Sequence, residues 1–200
     1  MSYSLDFLAK CNEVIKALDA AQIEGVVELL AQIKQRDGRL FLVGSGGGAG
    51  HSSHAVCDFR KLCQIEAYAP YDNVTELTAR TNDDGWETTL ENWLIGSRLR
   101  ADDCLFVFSV GGGNEEAKIS LNLVRAVKYA KSRGAKVVGI VGRNGGYTKV
   151  HADAVVLIPT IDEYSITPLV EGFQAVLWHL MVTHPKLCAK EKAFGRTRQT

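Results

Sequence analysis

Apolar side chains recur at helical spacing through residues 4 to 19 (Leu5, Leu8, Ile15, Leu18) and 22 to 36 (Ile23, Val26, Val27, Leu30, Ile33), which predicts a leading helical hairpin over residues 1–37. The pattern then changes. Short, nearly continuous apolar runs at 39–43, 64–68, 103–109, 135–141 and 154–158 read as strands, and amphipathic stretches at 50–62, 86–99, 115–133 and 168–183 read as helices between them. The third, fourth and fifth runs are rich in Val, Ile, Leu and Phe, as strands covered on both faces of a parallel sheet are. Strand and helix alternate, so the expected fold is a doubly wound α/β sheet, whose ligands bind where the carboxyl ends of the strands meet the loops.

Composition narrows the class. With 46% hydrophobic and 23% charged residues, the 200-residue chain can bury one good core, and no Pro/Ser-rich or charged linker divides it. We therefore expect a single domain, with an α/β core at 38–185 and a C-terminal tail at 186–200. Lys plus Arg equals Asp plus Glu at 23 each, so no global field recruits nucleic acid or an anionic membrane, and an anion has to be captured locally. No apolar run approaches the roughly 20 residues that span a bilayer, and the opening Met-Ser-Tyr-Ser-Leu-Asp lacks a signal sequence's basic and apolar regions. A cytoplasmic location is expected. Five cysteines without a Cys-x-x-Cys pair fit a reducing compartment.

The unusual chemistry gathers at the strand ends. The first strand runs into Gly44-Ser-Gly-Gly-Gly-Ala-Gly50 and then a helix, where bare backbone and free N–H groups suit an anion, phosphate above all. Gly44-x-Gly46-x-x-Ala49 is a loose dinucleotide fingerprint, but no acidic residue closes a second strand at the required distance, Glu66 being poorly placed. Within the helix His51, His54 and Asp58 share one face, and His54-x-x-x-Asp58 is the stronger pair for a metal or for proton transfer, with Cys57 as an alternative partner of His54. The third strand ends in Ser109-Val-Gly-Gly-Gly-Asn114. There Asn114 reads as a helix N-cap ahead of Glu115 and Glu116, leaving Ser109 and the glycine amides as ligand contacts. The fourth ends in Gly142-Arg-Asn-Gly-Gly146, mainly a turn, with Arg143 as a candidate contact. Glu171 and His179 are candidates on the last helix, about 12 Å apart along its axis, too far for easy ligation of one ion, so an irregular helix or a neighbouring subunit is needed if both serve it. Trp93 and Trp178 read as packing.

Taken in order, the leading helices, the Gly44-Ser-Gly-Gly loop, His54 with an acid four residues on, Asn82-Asp83-Asp84-Gly85-Trp86, the Ser109 loop, Gly145-Gly146 with Ala152-Asp153, and the Glu171 to His179 helix resemble the sugar isomerase (SIS) domain. Within it the chain is similar to the sedoheptulose-7-phosphate isomerase (phosphoheptose isomerase) family. The resemblance implies a flavodoxin-like three-layer α/β/α sandwich with a five-stranded parallel sheet, assembled as a homotetramer with interfacial sites. It implies zinc, or another divalent metal, on His54, Asp58, Glu171 and His179, where the family has histidine, glutamate, glutamine and histidine. It implies substrate contacts at Ser45, Gly46, Gly47, Asn82, Asp83, Ser109, Val110, Gly111, Asn114 and Glu171. Two departures stand out: Gly48 replaces a serine closing the first loop, and the second loop has lost most of its hydroxyls.

The activity implied is aldose–ketose isomerisation of a phosphorylated sugar, with sedoheptulose 7-phosphate as the expected substrate, by proton transfer between C1 and C2 through an enediol. Asp58 is the first candidate base and His179 the complementary acid/base. If both bind metal, Glu171 or a metal-bound water takes the proton. The alternatives are a non-catalytic SIS module that senses a phosphosugar or binds a protein, and a nucleotide-dependent dehydrogenase.

Overall fold

The computed structural model describes residues 2–188. The chain runs α1 (Tyr3–Ala17), α2 (Ala20–Gln35), β1 (Leu40–Gly44), α3 (Gly47–Cys63), β2 (Ala67–Tyr68), α4 (Val74–Asp84), a 3-10 turn (Trp86–Thr88), α5 (Thr89–Gly96), β3 (Cys104–Ser109), α6 (Leu121–Ser132), β4 (Lys136–Val141), α7 (Gly146–His151), β5 (Ala154–Leu157) and α8 (Ile166–Thr183). Five parallel strands lie in the order β2-β1-β3-β4-β5, with helices on both faces.

Alternation along each strand divides the core in two. Leu40 and Leu42 of β1, Phe106 and Phe108 of β3, and Val138 and Ile140 of β4 face a cluster shared with α2, α3 and α8. Phe41, Val43, Leu105, Val107 and Val137 point the other way, toward α5 and α6. This period of two explains why the central runs are apolar throughout: each strand has no solvent face. At the opposite end of the sheet from the glycine loops, the fully buried Asp103 carboxylate is gripped by Arg39 (2.7 and 3.2 Å) and by the backbone amides of Arg39 and Arg100, both at 3.0 Å. Burial alone would raise its carboxyl, but those hydrogen bonds hold it below the ordinary value.

Several elements depart from the pattern reading. The 64–68 run yields only a two-residue strand, because Gln64 turns left-handed (φ 56°) to end α3 while Ile65 N–H bonds back to Phe59. Helix α4 was not expected: none of its residues is buried, so it carries no apolar stripe, although Asn73 caps it through Glu76 N–H. The 86–99 segment divides into the 3-10 turn and the short α5. Asn114 does not cap α6, which starts seven residues later. It pairs with Ile119 through two backbone bonds, and its side chain accepts from Ala117 N–H, closing a loop that left-handed Lys118 and Ser120 keep out of helix. The six-residue α7 also lay below what periodicity resolves. Most of the 186–200 tail lies outside the described residues.

Helix α1 buries only Val14; Phe7, Cys11 and Leu18 lean on the core, while Tyr3, Leu5, Leu8 and Ile15 remain exposed. Among the described residues, no helix is long and apolar enough to cross a membrane.

Candidate active site

The strand order reverses direction between β1 and β3, the place where doubly wound sheets open a crevice. Both glycine loops leave the sheet there. Gly48 is pressed into the join: a methyl on it would sit 2.5 Å from the Phe108 carbonyl oxygen, so the first loop has no room for a serine at this position. On its outer side, β2 is too short to pair with the end of β1. The buried Tyr71 hydroxyl serves instead, accepting from Gly44 N–H at 2.9 Å and donating to the Gly44 carbonyl. The second loop is held by α7, whose Tyr147 and Thr148 amides donate to the carbonyls of Gly113 (2.8 Å) and Gly112 (2.9 Å).

Helices α3 and α8 run side by side, and their register sets out two groups of polar side chains. On α8, Thr167, Glu171, Ala175 and His179 follow at intervals of four and form one stripe. At its middle, the Glu171 carboxylate lies against Gly47 in the first turn of α3, where an added methyl would meet it at 2.5–2.7 Å. This carboxylate also faces His51. Burial lowers the His51 imidazolium from its ordinary value, and Glu171 opposes that shift. About two turns beyond Gly47 on α3, His54 Nε2 stands 3.8 Å from Asp58 Oδ2, and His179 Nε2 of α8 stands 3.9 Å from the same oxygen.

Those three side chains place one donor atom each within 4.8 Å of one another. Asp58 Oδ2 is buried without a hydrogen-bond partner, an arrangement that costs on the order of 1–3 kcal/mol unless a cation or donor completes it. His179 Nδ1 bonds to the Ala175 carbonyl at 2.7 Å; a carbonyl only accepts, so the proton is on Nδ1 and the lone pair on Nε2 faces Asp58. Donors about 2.0–2.2 Å from a tetrahedral ion lie roughly 3.4 Å apart, close to the separations here. The trio fits a divalent metal. Glu171 stands outside it, as the regular α8 requires, and Cys57 is exposed and also outside.

Beside the stripe a cavity of about 550 Å³ is lined by Ser45, Ser109, Asn114, Ser120, Arg143 and Thr167, among other residues. Val110 and Gly111 also line it, so the expected contacts of the second loop meet Ser45 of the first in one space, whereas Gly46, Gly47 and Glu171 are not part of its lining. Asn82 and Asp83 do not join them. They are exposed on α4, the Asn82 amide bonded to the Asp83 carboxylate at 2.8 Å. Sequence reasoning missed Tyr71, Ser120 and Thr167; only Thr167 carried a signal, four residues before Glu171 and one position ahead of the 168–183 stretch read as a helix, which in the structure starts at Ile166.

Comparison with known proteins gives these parts a family. The SIS domain matches residues 3–142, which include both loops and the His54–Asp58 helix. The chain belongs to the SIS domain family. This SIS domain is similar to lincomycin biosynthesis protein LmbN of Streptomyces lincolnensis, 32% identical over 168 residues covering 78% of this chain and 59% of that protein. It thus spans little more than half of that relative. It is also similar to phosphoheptose isomerase of Helicobacter pylori (strain P12), 25% identical over 185 residues that cover 88% of this chain and 90% of that one. In fold it matches the structure of phosphoheptose isomerase from Neisseria gonorrhoeae, with a TM-score of 0.77 at 24% identity, over 90% of this SIS domain and 94% of that chain.

Proposed function

We propose that this SIS domain is a phosphosugar aldose–ketose isomerase, with sedoheptulose 7-phosphate as its substrate and zinc or a similar divalent ion held by His54, Asp58 and His179. The observation that carries the reading is the unpartnered Asp58 Oδ2 beside two imidazole nitrogens, on the helix α3 that the first glycine loop opens. The phosphoheptose isomerases among its relatives support the reaction class.

A bound divalent ion would polarise the carbonyl and its neighbouring hydroxyl, making the C1 and C2 hydrogens acidic. This chain's own residues would do the rest. Asp58 is committed to the histidine pair, which leaves Glu171, the carboxylate beside Gly47, as the group that takes the proton from one carbon and returns it to the other. His179, with Nδ1 on the Ala175 carbonyl, keeps Nε2 toward Asp58 and the ion that they would hold with His54. Ser45 and the bare amides of Gly46 and Gly47 would line the sugar hydroxyls.

The assembly is proposed on the same footing. Exposed Leu5, Leu8 and Ile15 of α1 offer an apolar face for a homo-oligomer, a tetramer in the simplest case. A neighbouring chain would then supply the contacts that Asn82 and Asp83 do not make within this one. We place the protein in the cytoplasm, as one domain.

The test is to incubate metal-replete protein with sedoheptulose 7-phosphate in heavy water and follow it by proton NMR. Deuterium should appear at C2 of the aldose product, and protein purified without chelator should carry near-stoichiometric zinc that His54→Ala loses. Full activity in metal-free protein would sink the metal assignment. Tight sugar-phosphate binding with no exchange or turnover would favour the sensing module, consistent with a second loop poor in hydroxyls.

A further inference from the structure

We infer that Arg143 is the cation through which the cavity captures a phosphate monoester, and that it sets which end of the ligand lies at which loop. Among the described residues lining the cavity, Arg143 is the only charged side chain, and no Asp or Glu faces it there. Four other arginines, Arg39, Arg80, Arg100 and Arg125, pair with carboxylates. Arg143 makes no ion pair or side-chain hydrogen bond among the described residues, although it stands in a turn fixed by Gly145 N–H to the Gly142 carbonyl (2.9 Å) and by Asn144 to Gly146 N–H (3.0 Å). Its side chain lies over the second glycine loop, with Cδ 3.7 Å from where a methyl on Gly111 would be.

The neutral groups around it are set to donate. Ser109 Oγ already accepts from Gly112 N–H (2.9 Å) and Ser45 Oγ from Asn122 Nδ2 (3.3 Å), so each hydroxyl keeps its hydrogen for a ligand oxygen. The amides of Gly111 and Gly113 donate to no protein group among the described residues. A guanidinium above donor hydroxyls and free amides matches the three oxygens of a phosphate monoester, which Arg can take in bidentate fashion. The first loop is unsuited to the same group, because the Glu171 carboxylate is already against Gly47 and would repel it. The phosphate therefore sits under Arg143 and the sugar extends past Ser45 toward Glu171 and the His54–Asp58–His179 group. This orientation rests on the isomerase reading; the phosphate site does not. Arg143 also replaces, with one charge, anion-binding capacity that a glycine-rich Ser109–Asn114 loop cannot supply through hydroxyls.

The experiment uses inorganic phosphate as probe, titrated calorimetrically into the full-length protein and into Arg143→Met and Arg143→Lys. Arg143 is exposed, so thermal midpoints should be unchanged. Losing a charge-assisted contact should weaken phosphate binding about 10- to 100-fold in Arg143→Met, with partial recovery in Arg143→Lys and a loss of the difference at high salt. Equal affinity in wild type and Arg143→Met, or no phosphate binding to the wild type, overturns the inference. Turnover separates it from the proposed function. Arg143-dependent phosphate binding without isomerisation refutes the isomerase and leaves this site standing; isomerisation with a KM indifferent to Arg143→Met refutes this site alone.

Discussion

Replacing Gly47 with alanine sets the first loop against Glu171 without touching the metal trio. The added methyl would meet the Glu171 carboxylate carbon at 2.5 Å, and ordinary contact begins at 3.4 Å, so the carboxylate has to retreat by about 0.9 Å. Little stability should be lost, since the obstacle is the far end of a flexible side chain and alanine is favoured over glycine in a helix by up to ~1 kcal/mol. Catalysis should suffer far more. A displacement near 1 Å of a group that handles the reacting proton costs on the order of 100-fold in rate, equivalent to roughly 2.7 kcal/mol of barrier. The assay is deuterium incorporation into sedoheptulose 7-phosphate, with zinc content and the thermal midpoint measured on the same preparation. We expect kcat to fall about 100-fold, zinc to stay bound, and the midpoint to move by only a few degrees. In a Glu171→Ala background the same glycine substitution should stabilise more than in the wild type, because nothing remains to be displaced. Wild-type turnover in Gly47→Ala, or an identical stability change in both backgrounds, would refute the placement of Glu171 on which the mechanism depends.

Asp58→Asn removes the charge shared by the two histidines, and zinc content should drop at least tenfold with the fold intact, as elemental analysis and circular dichroism would show. Tyr71→Phe leaves the Gly44 N–H and C=O unpaired at the root of the first loop; chemical denaturation should report a loss of about 1–3 kcal/mol, and an unchanged midpoint would contradict the bonding described. Asp103→Asn should destabilise by about 3 kcal/mol, because it leaves the Arg39 charge half-buried without its partner. The pH dependence follows from the same residue: its carboxyl is depressed in the fold, so its contribution is complete above the ordinary value of 3.8 and disappears as pH falls through the lower folded value. Wild-type stability measured in acid should therefore decline more steeply than that of Asp103→Asn.

The central strands could be read from the chain because burial on both faces leaves a continuous apolar run, and β1, β3 and β4 lie where those runs lie. Spacing alone also put His54 and Asp58 on one face of a helix, since a separation of four is a local property of helical geometry. Helix α4 was not legible for the converse reason: with none of its residues buried, it has no continuous apolar stripe to write into the sequence. The Asn114 loop misled because a good N-cap residue followed by acids has the same local signature whether or not a helix follows, and the left-handed Lys118 and Ser120 that prevent one carry no such signal. What only the tertiary structure decided was which distant residues meet. The side-by-side register of α3 and α8 brings His179 to Asp58 but carries Glu171 to Gly47, although sequence order offers all four as one set. The short β2 leaves Gly44 to the Tyr71 hydroxyl, 27 residues away, and the packing of two loops beneath Arg143 gives that side chain a cavity to face. Local periodicity fixes what each segment can be; contacts between segments far apart in the chain depend on strand order and helix register, which no single segment encodes.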